Sequence, residues 1–243
     1  MKTLLDLLRG LFAAWRAGGV AAAQAPTDPA WADYYETPAP QPASAAPAVP
    51  EAPVARFSGV TAGTVQAIMP HLSAGHLAEY LPWLNGAMVE FAIDTPLRIA
   101  AFLAQLAHES GELTYMQEIA SGAAYEGRAD LGNFYAGDGV RYKGRGPIQL
   151  TGRANYRACG AALGLDLEGD PAQAATPQVG FRVAGWYWTT HPATDRWGQP
   201  IAGCNALADA QDFTAITRAI NGGLNGLASR EAYYAKAREV LGA

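Results

Sequence analysis

Glu109 and Glu118, nine residues apart, are the side chains best placed to do chemistry in this sequence. Two carboxyl groups can cleave a glycosidic bond when one protonates the leaving oxygen and the other, about 5 to 9.5 Å away, acts as base or nucleophile. Nine residues of unbroken helix would turn the two side chains to opposite faces, but Gly111 lets the chain leave the helix and fold back. Glu112, Glu126 and Asp130 compete for the second role, and Glu109 could instead pair with an arginine between positions 141 and 157. Other chemistries find less support. His108-Glu109-Ser110-Gly111-Glu112 lacks the second histidine of a zinc-protease helix, and His71, His76 and His191 are scattered, so no metal site is expected. No Gly-x-Ser-x-Gly elbow occurs, and neither Cys159 nor Cys204 has a neighbouring histidine, although the two could form one bridge. Gly144-Arg145-Gly146 lacks the third glycine and the preceding strand of a dinucleotide site and reads as a tight turn; no cofactor is expected.

The element that must hold Glu109 is legible. Thr95-Pro96 is a capping hydroxyl followed by proline at the first helical position, and residues 96–110 then read as helix. Ile99, Phe102, Leu103 and Leu106 form its apolar stripe, and Glu109, seven residues after Phe102, returns to within about 20° of it. The spacing therefore aims a carboxyl group inward, where burial and the negative end of the helix dipole favour its protonated form. Glu118 is expected to be the more solvated partner.

Further helices are expected over roughly 61–70, 74–81, 84–92, 152–163, 177–188, 212–220 and 229–241, around an irregular Gly-rich stretch at 111–150. The fold class is mainly α. Upstream the composition changes: eight of the sixteen prolines lie between Pro26 and Pro53, which marks residues 26–56 as an Ala/Pro-rich spacer. Before it, Leu4, Leu5, Leu8, Leu11, Phe12 and Trp15 share one helical face and Lys2, Asp6, Arg9 and Arg16 the other. Residues 1–25 suit a helix lying on a membrane surface or partner protein through residues 2–16; Lys2 and Ala23-Gln24-Ala25 also fit a secretory signal, and a frayed tail is a third reading. The formal charge of −5 argues against nucleic-acid binding, yet Arg141, Lys143, Arg145, Arg153 and Arg157 form an acid-free basic stretch with Tyr142 and Tyr156 interleaved. It could line a groove for an anionic polymer or be a solvated face with internal ion pairs.

Four ordered motifs carry a family resemblance: Ala107-His108-Glu109-Ser110-Gly111; Ala120 through Arg128, including Tyr125-Glu126-Gly127; Gly139 through Thr151, including Lys143-Gly144-Arg145-Gly146-Pro147; and Ile220-Asn221-Gly222-Gly223. Together they resemble the glycoside hydrolase family 19 chitinase-like enzymes, most closely the bacterial and phage branch that includes endolysins, over essentially Phe57 to Leu241, which sets a catalytic domain at residues 57–243. The resemblance implies a lysozyme-like, two-lobed helical fold with a substrate cleft and an inverting mechanism. By that likeness Glu109 is the general acid, Glu118 the general base, and Thr151 helps hold the attacking water. Gln149, Asn155 and Asn221 match substrate-binding positions, and Arg230 is similar to an arginine that supports the base at the substrate site. Tyr125 and Tyr142 contact sugar rings or belong to the core, and Trp186 and Trp188 read as core.

Peptidoglycan and chitin both contain β-1,4-linked N-acetylated sugars, so one acid and one base serve both. The lytic-branch likeness, the basic stretch and the absence of a Cys-rich chitin-binding module lean towards peptidoglycan, cut at the bacterial cell wall by a monomer without cofactor. Chitin hydrolysis, a silent glycan-binding or particle component, and a lytic transglycosylase with a single acid are the alternatives.

Overall fold

The computed structural model describes residues 59–195, 197–201 and 203–243. The chain divides into two units, Met1–Arg56 and Phe57–Ala243. The first unit, and with it the expected helix at 2–16 and the spacer, lies outside the described residues.

The second unit is mainly helical: α1 (Ala62–Ile68), α2 (Ala74–Glu90), α3 (Pro96–Glu109), α4 (Asp138–Arg141), α5 (Arg153–Leu163), α6 (Pro177–Thr190), α7 (Gly203–Asp209), α8 (Phe213–Asn221) and α9 (Leu227–Leu241). Short 3₁₀ turns cover Ala123–Tyr125, Ala129–Leu131 and Pro171–Ala175. A two-residue hairpin pairs β1 (Ala193–Thr194) with β2 (Pro200–Ile201), Ala193 opposite Ile201. No helix among the described residues is long and apolar enough to cross a membrane.

Local chemistry sets the helix starts. The side chains of Thr61, Ser73, Thr95 and Asp212 each accept a bond from a backbone N–H of the first turn, at 3.1, 3.1, 3.3 and 3.1 Å. Helix α2 replaces the two helices expected at 74–81 and 84–92. Pro82 sits inside it, and the buried stripe Leu77, Tyr80, Leu84, Ala87 and Met88 runs past the proline without a break. Burial of that common face outweighs the lost hydrogen bond.

Helix α3 is the centre of the unit. Every residue from Ile99 to Ala107 is buried, not only the expected stripe, and α7, α8 and α9 pack against it. Ala100, Ala101, Ala104 and Ala107 let those neighbours approach on sides that larger residues would hold apart. Trp188 of α6 is fully buried with its ring edge-on to Phe102, centroids 5.3 Å apart, and its indole N–H donates to Asn205 Oδ1 at 2.8 Å. Cys159 and Cys204 do not bridge; both are buried free thiols, pushed up to about 12 by burial.

Candidate active site

Glu109 is the last residue of α3, and the packing of α9 on α3 supplies its partner. Arg230 of α9 is fully buried and places Nη2 2.5 Å from Glu109 Oε1; the Glu109 side chain is 17% exposed. The guanidinium also donates to Gln105 Oε1 and, through Nε, to the Asn225 carbonyl at 3.2 Å. Gln105, four residues before Glu109 and so on the same face, is fully buried and donates to Thr217 Oγ1 at 3.1 Å. Glu109 thus ends a chain of paired groups, Thr217, Gln105 and Arg230, inside the core. His108 lies beside it: its Nδ1 is 3.0 Å from Ser229 Oγ, its ring meets the backbone at Gly226, and burial, with the Arg230 charge, lowers the imidazole to about 4.

The chain leaves α3 through three successive left-handed residues, Gly111, Glu112 and Leu113, with φ between 57° and 59°. Only the first is the glycine that sequence reading singled out. The strained Glu112 is held by its own carboxylate, which accepts from His71 N at 2.6 Å and Tyr233 Oη at 2.8 Å and lies 2.9 Å from His71 Nδ1. It is a strut between three segments. Glu126 is spent likewise on the backbone N–H groups of Gly137 and Gly139, and Asp130 on Arg128.

Glu118 sits where the returning chain pairs with the Gly-rich stretch. Gly146 N donates to Met116 O at 2.9 Å, Glu118 N to Gly144 O at 2.9 Å, and Arg145 exchanges both backbone bonds with Leu150 at 2.8 and 3.1 Å. This small ladder fixes the Glu118 backbone, and its carboxylate accepts from Tyr125 Oη on Oε1 and from Gly144 N–H on Oε2, both at 3.1 Å. Glycine at 144 lets both side chains close on the backbone: a Cβ there would lie 2.7 Å from Gln149 Oε1, which would have to shift, and 3.4 Å from Glu118 Oε2. Glu118 is 7% exposed. Burial pushes its carboxyl above the ordinary value, while the Gly144 N–H, the Tyr125 hydroxyl, Lys143 and Arg145 pull the other way. The expected asymmetry is therefore reversed: Glu118 is the drier group, and Glu109 is the one joined to a guanidinium. Helix periodicity gave the direction of Glu109, but burial of Glu118 depends on a ladder that no local pattern announces.

The other expected site residues are bonded to the segments that carry these two. Thr151 Oγ1 donates to Gln149 O at 2.8 Å, Asn155 Nδ2 to Thr151 O at 2.8 Å, and Gln149 Nε2 to Gly146 O at 2.9 Å and Tyr115 O at 3.3 Å. Gln149, Thr151 and Asn155 thus form one bonded run following the ladder that carries Glu118, and the bond to Tyr115 ties it to the connection from Glu109. Asn221 ends α8 and donates to Asn225 O at 3.4 Å, the carbonyl that also receives Arg230, and so belongs with Glu109.

One expectation needs correction, and two readings left open are resolved. Arg230 serves Glu109, not the group expected as base, and with no exposure it does not contact a glycan directly. Tyr142 is a core residue: 1% exposed, 5.4 Å from the Tyr156 ring, its hydroxyl donating to Glu168 O at 3.0 Å. The basic stretch is internal pairing. Arg153 binds Asp138 at 2.5 Å and Glu168 at 2.8 Å, Arg157 binds Glu168 at 2.6 Å, and Arg141 and Lys143 donate to backbone carbonyls. A cavity of about 770 Å³ beside it is lined by Tyr135, Val140 and Arg141 among others, and neither Glu109 nor Glu118 reaches it. Sequence reading missed Gln105, whose signal was an amide among apolar residues on one helix, and the link from Tyr125 to Glu118, which had none.

A helical unit with a buried central helix ending in one carboxylate and a second carboxylate on the loop that follows is of the lysozyme-like class. The glycoside hydrolase family 19 model, described as chitinase class I, matches residues 92–238, and the chain belongs to that family. An endochitinase of Arabidopsis thaliana is 40% identical over 153 residues, covering 59% of this chain and 48% of the relative. A glycosyl hydrolase family 19 domain-containing protein of Haemophilus influenzae is 35% identical over 113 residues, 46% of this chain and 49% of the relative. The chain thus spans about half the length of these curated relatives. Among solved structures, chitinase C from Streptomyces griseus matches with a TM-score of 0.64 and 26% identity, over 79% of this chain and 96% of that one.

Proposed function

We propose that the chain hydrolyses β-1,4 bonds between N-acetylated sugars of the peptidoglycan strand, at the bacterial cell wall, by an inverting acid/base mechanism. Glu109 protonates the glycosidic oxygen while Glu118 takes a proton from a water on the opposite face of the sugar, through an oxocarbenium-like state. The single observation that carries this reading is the separate support given to the two carboxylates. Arg230 grips Glu109 through Oε1, so the charge that appears on Glu109 as its proton leaves is met by a guanidinium already in place. Burial holds the Glu118 carboxyl above its ordinary value, while one donor on each oxygen and the cations Lys143 and Arg145 act against that rise and support the ionised form a base requires. The Thr151 hydroxyl, whose proton is engaged by Gln149 O, offers its lone pairs to the attacking water. Gln149, Asn155 and Asn221 bind the sugar chain. The reaction so written needs no cofactor.

Peptidoglycan rests on the motif likeness to the lytic branch; the basic stretch no longer contributes, being paired internally. Chitin is the second reading, favoured by the names of the matched relatives, several of which are chitinases. Digestion of peptidoglycan and of chitin oligomers side by side, with product anomers followed by NMR, separates them. The proposal expects soluble muropeptides with reducing ends first formed as the α-anomer, and none from Glu109→Gln. Anhydro ends, or turnover of chitin alone, would sink it.

A further inference from the structure

Tyr125 is 6% exposed, and its position is over-determined. It closes the 3₁₀ turn that begins after Gly122, a residue with φ of 83° where a Cβ would lie 2.5 Å from the Gly139 carbonyl. Its own carbonyl accepts from Asn133 Nδ2 at 2.9 Å; Asn133 is fully buried and its Oδ1 accepts from the backbone N–H of Arg153, the first residue of α5. A tyrosine pinned in this way is a poor candidate for a ring that adapts to a passing sugar. Its hydroxyl is instead spent on Glu118 Oε1.

We propose that Tyr125 is a positioning residue of the hydrolytic step: by donating its hydroxyl to Oε1 of Glu118, opposite the Gly144 N–H on Oε2, it fixes the plane of that carboxylate and so which lone pair meets the attacking water. This rests on the reading of Glu118 as the base. The two donors divide the work. Gly144 belongs to the ladder that also holds the Glu118 backbone and cannot be removed without disturbing it, whereas Tyr125 contributes through one side-chain atom. Without that atom, Oε1 would lack this donor in a nearly dry site, the carboxylate could rotate about its last torsion, and the ionised form would lose a stabilising bond. Burial raises the Tyr125 phenol well above its ordinary range, with the Glu118 charge adding to it, so the hydroxyl stays a donor throughout the working pH. The other charged or titratable groups facing the pair are Lys143 and Arg145 on the ladder, Tyr156 on α5 and Arg128 beside Tyr125; substitution at 125 leaves all four in place.

The test is the pH profile of kcat/KM on the glycan for wild type, Tyr125→Phe and a protein carrying 3-fluorotyrosine at 125, a stronger donor of nearly the same shape. Tyr125→Phe is expected to lower kcat about 10- to 100-fold with KM within about twofold, and to move the acidic limb up by roughly half a pH unit or more. The fluorinated protein is expected to keep most of its activity and move the limb down. If Tyr125→Phe does not fold, the fluorinated protein alone decides by the sign of its shift. Superimposable acidic limbs would overturn the proposal and leave Tyr125 a packing residue. Glu118→Gln, measured in parallel, keeps the two failures apart: if it retains turnover the base assignment falls and this role with it, and if it is inactive while the limbs coincide only the role of Tyr125 is lost.

Discussion

The two carboxylates stand on opposite kinds of support. Glu109 ends a helix buried on every side, and its partner is a charged guanidinium fixed by Gln105 and the Asn225 carbonyl. Glu118 lies in an irregular segment, and its partners are a hydroxyl and a backbone N–H. A helix end can be aimed by periodicity alone, but it has no free backbone N–H to offer a carboxylate and leans on a distant side chain. A loop ladder supplies backbone donors, but only after residues far apart in sequence have met. In the proposed reaction the group that must lose a proton has a positive partner waiting, and the group that must accept one is held by a hydroxyl and a backbone N–H that offset part of what burial does to its carboxyl.

The sharpest break in this comparison is Glu118→Gln, which keeps the shape and removes the base. Turnover of the natural glycan is expected to fall by about 10³-fold or more with the melting temperature little changed, as initial rates and calorimetry would show. Arg230→Met acts on the other arm and should be felt mainly as stability. It strands Gln105 and Glu109 beside an apolar chain, and a loss of about 3–5 kcal/mol is expected in denaturant titrations. A loss under about 1 kcal/mol would mean that the core does not depend on the pair.

His108 offers a pH test of the same arm. Its folded-state value is lowered to about 4 by burial first and Arg230 second, so the unfolded chain takes the proton first as pH falls. Stability from this residue is complete above about 6.5, declines between there and about 4, and then levels; the full drop is roughly 3 kcal/mol. The melting temperature of wild type minus that of His108→Gln should trace this window, and a flat difference would contradict it. On the Glu118 arm, Gly144→Ala pushes a Cβ into Gln149 Oε1, and about a tenfold loss of kcat is expected with little change in stability, since a flexible side-chain end gives way first. The smallest effect is Arg157→Gln. Its guanidinium is half exposed and paired with Glu168, so under about 1 kcal/mol of stability and no change in activity are expected. A large loss of activity would restore the basic stretch as a substrate groove.

What could be read in the sequence follows the same division. Helices α1, α3, α5, α6, α8 and α9 were visible because each carries a start signal or a one-sided apolar pattern, and Glu109 was found through one of them. The split of α2 at Pro82 came from local propensity that burial overruled. Helices α4 and α7 and the hairpin at 193–201 were missed: α4 has four residues and the hairpin strands two each, too short for a period to show, and α7 opens without the capping threonine that marks the equally short α1. The pairing of Glu109 with Arg230 joins residues far apart in sequence, and the burial of Glu118 depends on the bridge between Gln117 and Arg145. Neither is encoded in a window of neighbours. Family likeness named both glutamates, but it could not say which one lies in the drier place.

The division of roles is tested most directly with oligosaccharides bearing a dinitrophenyl leaving group, which departs without a proton. Glu109→Gln is expected to lose the natural glycan but keep substantial rates on the activated one, while Glu118→Gln loses both. If instead Glu118→Gln is the variant saved by the activated leaving group and Glu109→Gln is not, the buried carboxyl is the acid, the paired one is the base, and the proposed roles are reversed.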